Sequence, residues 1–180
     1  DKTIHLITPQ DAGFITKTVS TSVGIPKEDS RTRVSILNGI IFKSEDKIYS
    51  LYPNFSSGSE TILNISEISK PIENLIRNIP HHPNYNPFAF IDSEAYYLFI
   101  PQSESTYCLK YDFSHKIWST YSYPVVIYDY KILDVSDIRL YAIYNGTRYE
   151  YHFNKLYTDV YIDEAYEYGD VLTAEQLAGL

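Results

Sequence analysis

From Phe88 to Phe153 the sequence is a succession of short apolar and aromatic runs, each broken by a polar turn before it is long enough for a helix. Residues 88–91 are followed by the turn Asp92-Ser93-Glu94, residues 95–100 by a loop over 101–105, residues 106–111 by a turn over 112–116, and then come residues 117–123. Runs this short and evenly spaced predict an antiparallel meander. A second group follows: 125–130, 131–135, 139–144, then Asn145-Gly146, then 147–153. Asn-Gly fills a type I′ turn, where both central residues need positive φ, so a tight hairpin is predicted there. Aromatic residues make up 16% of the chain, with 19 Tyr against one Trp, and Tyr suits a half-buried strand that leaves its hydroxyl to water or a partner. Side chains alternate across a strand, so about half of these tyrosines point inward and half outward. The candidate interaction surface read from this pattern is Tyr96, Trp118, Tyr121, Tyr123, Tyr149 and Tyr151.

The first half is less regular. Residues 1–29 read as short extended segments with a loop over 20–26. Residues 34–42 read as one β-branched strand, Ser44-Glu45-Asp46-Lys47 as a turn and 48–52 as the returning strand, followed by a loop over 53–60. Ile68, Ile72, Leu75, Ile76 and Ile79 recur at helical spacing behind Ser69 and Pro71, which predicts a short amphipathic helix over 70–78. The prolines of 80–87 then stop it and form a stiff connector. Near the end, 160–162 reads as a further strand, and Thr173-Ala174-Glu175-Gln176 as a capping box opening a last helical turn to Leu180. The organisation expected is a single β-rich module over 1–180, with propeller-like units over 23–157 and an acidic C-terminal extension over 158–180.

Composition excludes several classes. Hydrophobic and charged fractions of 44% and 21% are those of a globular chain, which argues against disorder. A net charge of -8 opposes long-range attraction to phosphate backbones and anionic membranes, and Arg31 with Arg33 is a small cluster better matched to surface carboxylates. No apolar run approaches the roughly 20 residues of a membrane span, and the first ten residues lack the pattern of a signal peptide. Cys108 is the one cysteine, which rules out an internal disulfide and marks it as a small core residue. The start at Asp1 and the lack of Met lead us to expect a processed chain or a piece of a longer polypeptide.

Residues 38–52, 89–121 and 137–157 share one grammar: a hydrophobic strand, a tight polar turn, and a second strand rich in Tyr. The fullest copy runs Ala95-Tyr96-Tyr97-Leu98-Phe99-Ile100-Pro101, then Tyr107-Cys108-Leu109-Lys110-Tyr111-Asp112, then Lys116-Ile117-Trp118-Ser119. At these residues the sequence resembles the β-propeller of the tail nozzle, or packaged-DNA stabilisation, proteins of short-tailed bacteriophages. Similar proteins carry a unit like Asn38-Gly39-Ile40-Ile41-Phe42 with Lys47-Ile48-Tyr49, then one like Ile68-Ser69-Lys70-Pro71-Ile72-Glu73, then a blade running from Tyr-Asp to Trp. That order occurs here between about residues 23 and 123. Kelch-like and other propellers share the Tyr-Asp-to-Trp rhythm.

The resemblance implies a mainly β fold of antiparallel propeller-like blades with one or two short helices. Three units are too few to close a propeller of about 4–8 blades, so it is an incomplete propeller or part of a larger one. It further implies a structural virion protein of the phage tail, forming a ring with its own copies and with other tail proteins. DNA passes through that ring without specific binding, nothing inserts into a membrane, and no catalytic residue, cofactor or metal is implied. The alternative is a carbohydrate- or receptor-binding β-domain that uses exposed Tyr and Trp118 as stacking surfaces. A third reading is a propeller-fold glycosidase, whose paired carboxylates meet only in space.

His5, His81, His82, His115 and His152 are the candidate bases; adjacent His81 and His82 diverge, and no ligand spacing accompanies them. Phosphate-binding glycine loops, nucleophile elbows and His-Glu-x-x-His are missing from the sequence. Asp159, Asp163, Glu164, Glu167 and Asp170 lack the alternation and central Gly of a calcium loop and read as a solvated acidic face. Asp92, Glu94 and Asp112 sit where Asp ordinarily stabilises a turn.

Overall fold

The strand-forming runs become antiparallel sheets in a computed structural model, which describes residues 3–10, 13–54, 62–134, 137–153, 162–167 and 170–173. The chain divides into two compact units, residues 1–78 and 79–180. The first opens with a two-stranded sheet, β1 (Ile4–Gln10) with β2 (Gly13–Ser20), where short extended segments were expected. A four-stranded sheet follows in chain order: β3 (Val34–Ile36), β4 (Gly39–Ser44), β5 (Lys47–Asn54) and β6 (Ile62–Glu67). The predicted polar turn joins β4 to β5, with Glu45 in the left-handed region at φ 56°.

The single strand predicted over 34–42 is instead two strands folded back on each other about Leu37 and Asn38, with Ile36 paired to Gly39. Leu37 is 97% exposed, so an apolar residue at the turn disguised it as strand interior. Gly39 is what lets β5 approach the start of β4: a Cβ there would lie 2.3 Å from the carbonyl oxygen of Leu51. Strand β6 was not anticipated.

The helix expected over 70–78 is present as a tight turn, Lys70–Ile72, running into α1 (Glu73–Asn78). Pro71 occupies the start, where its missing N–H costs nothing. Ser69 ties this element to the sheet, because its Oγ accepts the backbone N–H of Ile48 at 2.9 Å. A second polar tie is deeper. Lys43 and Asp29 are each 2% exposed, and Lys43 Nζ donates to Asp29 Oδ1 at 2.8 Å. Asp29 Oδ2 accepts the N–H of Glu45, and Thr32 Oγ1 accepts the N–H of Lys43 while donating to the carbonyl of Asp29. The turn over 26–32 is thereby pinned to β4.

The second unit holds two sheets, both meanders in chain order. One is β7 (Phe88–Ile91), β8 (Ala95–Pro101), β9 (Thr106–Asp112) and β10 (Trp118–Tyr123). The other is β11 (Val126–Asp134), β12 (Asp137–Tyr144), β13 (Thr147–Phe153), β14 (Ile162–Glu167) and β15 (Asp170–Thr173). The strands predicted over 125–130 and 131–135 are one strand, β11, because no turn residue interrupts Tyr130 and Lys131 and both pair with β12. Register irregularities at Ile127/Asp129 and Ile132/Asp134 replace the predicted break. Asn145 (φ 48°) and Gly146 (φ 81°) form the predicted turn between β12 and β13. Of the strand predicted over 160–162, Ile162 begins β14, and 160–161 lie outside the described residues, as does the helical turn predicted over 174–180.

Period-two alternation builds the core of this unit. Ala95, Tyr97 and Phe99 of β8 share one cluster with Cys108, Ile127, Leu140, Ala142, Tyr151 and Phe153. The Phe153 ring meets Phe90 and Tyr97 edge-on at 5.1 and 5.0 Å, and Tyr130 stacks on Phe88 at 5.3 Å. Such pairs add about 0.5–1.5 kcal/mol each beyond area burial. Thr106 Oγ1 joins the sheets at one end, donating to Val125 O and accepting the N–H of Ile127. Among the described residues no helix is long and apolar enough to cross a membrane.

Candidate functional site

The six residues predicted as an interaction surface divide by pleat. Tyr96 and Tyr151 are fully buried and Tyr123 is 6% exposed, so these three serve packing rather than presenting rings to a partner. Alternation alone would place half of the tyrosines outward, but β8 is buried along its whole length. Trp118, Tyr121 and Tyr149 are half-buried. Tyr121 and Tyr149 lean on the core cluster. Trp118 lies on the other face of its sheet, in a cross-strand row with Tyr111 and Tyr96. Its ring is 4.8 Å from that of Tyr111, and Tyr111 is edge-on to Phe113 at 6.1 Å. With Ile117, which is 56% exposed, these rings form an aromatic cluster at the β9–β10 turn. The six therefore do not compose one surface.

The strand register assembles a different feature from turns. The 102–105 turn after β8, the 124–125 link after β10 and the Asn145-Gly146 turn after β12 meet at one end of the second unit and enclose a groove of about 770 Å³. Ser103, Glu104, Ser105, Ser122, Tyr144 and Asn145 are among the residues lining it. Its geometry follows from local hydrogen bonds: Gln102 N–H donates to Ser105 O at 2.8 Å, and Ser105 Oγ donates to Gln102 Oε1 at 2.7 Å. Gly146 leaves its side open, since a Cβ there would meet nothing within 4 Å. The 101–105 loop and the Asn145-Gly146 turn were each announced in the sequence; that they converge here follows solely from the pairing.

Several titratable groups are engaged in structure. Burial pushes the Cys108 thiol and the Tyr123 and Tyr151 hydroxyls upward, which keeps them protonated. Tyr97 is raised by burial and by Asp92, whose Oδ2 accepts its hydroxyl at 3.1 Å. Asp92 Oδ1 also caps its own turn through the N–H groups of Glu94 and Ala95, and Asp112 accepts from His115. Arg139 is raised chiefly by its bond to Glu150, with Asp137 beside it. His82 Nδ1 accepts the N–H of Asn84, and its ring packs 4.6 Å from Tyr85. Among the described residues no group of three or more His, Cys, Asp or Glu is placed to hold a metal ion. The side chains of Asp163, Glu164, Glu167 and Asp170, like the whole of Asp159, lie outside the described residues.

The chain matches no protein-family model, no curated protein and no solved structure.

Proposed function

We propose that this chain is a structural component of a bacteriophage tail, a nozzle- or hub-like part of a ring around the DNA exit channel. The supporting observation is the folding of the segment that carries the resemblance. Tyr111-Asp112 ends β9, Asp112 Oδ1 closes the turn through the N–H of His115, and Trp118 opens β10 against Tyr111. That turn completes a four-stranded meander, and β3–β6 is a second one of the same order. In this reading each four-stranded meander is a propeller blade, and additional blades come from further chain or from other copies, because closure takes about 4–8. The net charge of -8 suits a lumen that DNA must leave without sticking, since like charge repels the phosphates.

Electron microscopy of the purified full-length protein, together with antibody labelling of intact virions, tests the proposal. Rings in the first and label on the tail in the second are the expected results. Monomers without rings, combined with unlabelled tails, overturn it.

A further inference from the structure

We propose that the groove at the turn end of the second unit binds an uncharged saccharide, a role independent of any place in a ring. Its volume of about 770 Å³ falls within the roughly 300–1,000 Å³ of small-ligand sites. The lining has two characters. Val126 and Ile143 are directly cross-strand and give the groove an apolar patch, while the half-buried Tyr144, which packs on the core from the opposite face of β12, lines its edge. Around it stand Ser122 and Asn145, which donate and accept, and Glu104, which accepts. A pyranose ring has the matching construction: a C–H face that lies on apolar or aromatic surface and hydroxyls at its edge that need both donors and acceptors.

Charge narrows the choice of ligand. Glu104 is the one carboxylate among the groove's described lining residues, and no Lys or Arg is among them. A phosphate, sulfate or sialic acid would meet repulsion with no cation to offset it. A hard cation would find too few oxygens with charge to replace its water. Sugar hydrolysis uses two flanking carboxylates, so the lining fits binding rather than cleavage. The three turns supplying these groups are fixed by the type I′ hairpin, by the Gln102–Ser105 bonds and by the Thr106 link, and a groove set in advance avoids an ordering cost on binding.

The test is a glycan array with neutral, sialylated and sulfated arms, followed by titration calorimetry of the strongest neutral hit against the parent and two variants. Ser122→Trp changes an exposed residue and fills the groove; Glu104→Ala removes an exposed acceptor. Expected are hits in the neutral arm, with affinity reduced at least about tenfold by Glu104→Ala and abolished by Ser122→Trp. An array without hits, hits restricted to the anionic arms, or neutral binding unchanged in both variants would each overturn the proposal.

Discussion

In the β3–β6 sheet the buried positions of β4 include Lys43 and Ser44, and that of β5 includes Ser50. In the β7–β10 sheet the corresponding strands β8 and β9 bury every residue from Ala95 to Pro101 together with Thr106, Cys108 and Leu109, without a charge among them. Both sheets are four-stranded meanders in chain order, so the topology does not dictate how the interior is held. The first is pinned by directional bonds with one correct partner each: Lys43 to Asp29, Thr32 to Lys43, Ser69 to Ile48. The second is held through its interior by ring volume and edge-to-face contacts, which many arrangements of similar size approximate, with directional side-chain bonds from Thr106 and Tyr97 at its ends. Removing a polar atom should therefore have opposite signs in the two places.

The largest effect is expected at Lys43. Lys43→Met keeps much of the side-chain volume but leaves Asp29 buried without its cation, and stranding one member of a buried pair costs roughly 3–5 kcal/mol. Adding Asp29→Asn, which keeps an acceptor for the Glu45 N–H, should return most of that loss. Urea unfolding of the two variants measures both numbers. If Lys43→Met cost under about 1 kcal/mol, the claim that the first sheet is pinned by this pair would fail.

Next is Gly39. A Cβ placed 2.3 Å from Leu51 O and 2.8 Å from Tyr52 Cδ1 forces backbone to move, so Gly39→Ala should destabilise by roughly 1–3 kcal/mol. Hydrogen exchange should place the loss on the seam between β4 and β5 around Gly39, Leu51 and Tyr52. Equal loss of protection across β7–β10 would mean that the two sheets do not respond separately.

What was legible in the sequence follows from how local the cause is. The Asn145-Gly146 turn, the 70–78 helix and the Glu45-Asp46 turn each depend on a few adjacent residues whose backbone preferences agree, and each was readable. The turn at Leu37-Asn38 was not, because the residue at its tip is apolar and the requirement on Gly39 comes from Leu51, a strand away. The undivided β11 escaped for the converse reason: its pairing with β12 overrides an irregular local pattern. Tyr96 looked like any other alternating tyrosine, since burial of both faces of β8 is a property of the assembled sheet. The groove was illegible for the same cause: Glu104, Ser122 and Asn145 are far apart in the chain and become neighbours only through register.

A smaller effect, of reversed sign, is expected in the aromatic core. The hydroxyls of Tyr123 and Tyr151 are buried without a hydrogen-bond partner among the described residues. Leaving such a group unpaired costs about 1–3 kcal/mol, so Tyr151→Phe should raise stability by roughly 1 kcal/mol, read as a higher thermal midpoint. A loss instead would mean that this core, too, depends on a directional bond.

The smallest effect sharpens the contrast by moving a carboxylate to the surface. Asp112 performs at an exposed turn the acceptor role that Asp29 performs in the interior. The backbone N–H of His115 at 2.7 Å, then the His115 ring at 3.0 Å, hold its carboxyl below the ordinary Asp range. A carboxyl lowered in the folded state binds its proton more weakly there than in the unfolded chain. Its contribution is therefore fully present above about pH 4 and fades as the pH falls through and below that value. Asn mimics the protonated acid, so the difference in thermal midpoint between the parent and Asp112→Asn should be small at neutral pH and close on acidification. A gap that stayed constant or widened in acid would show that the charge on Asp112 does not hold this turn, and that packing of Trp118 on Tyr111 suffices to close the sheet.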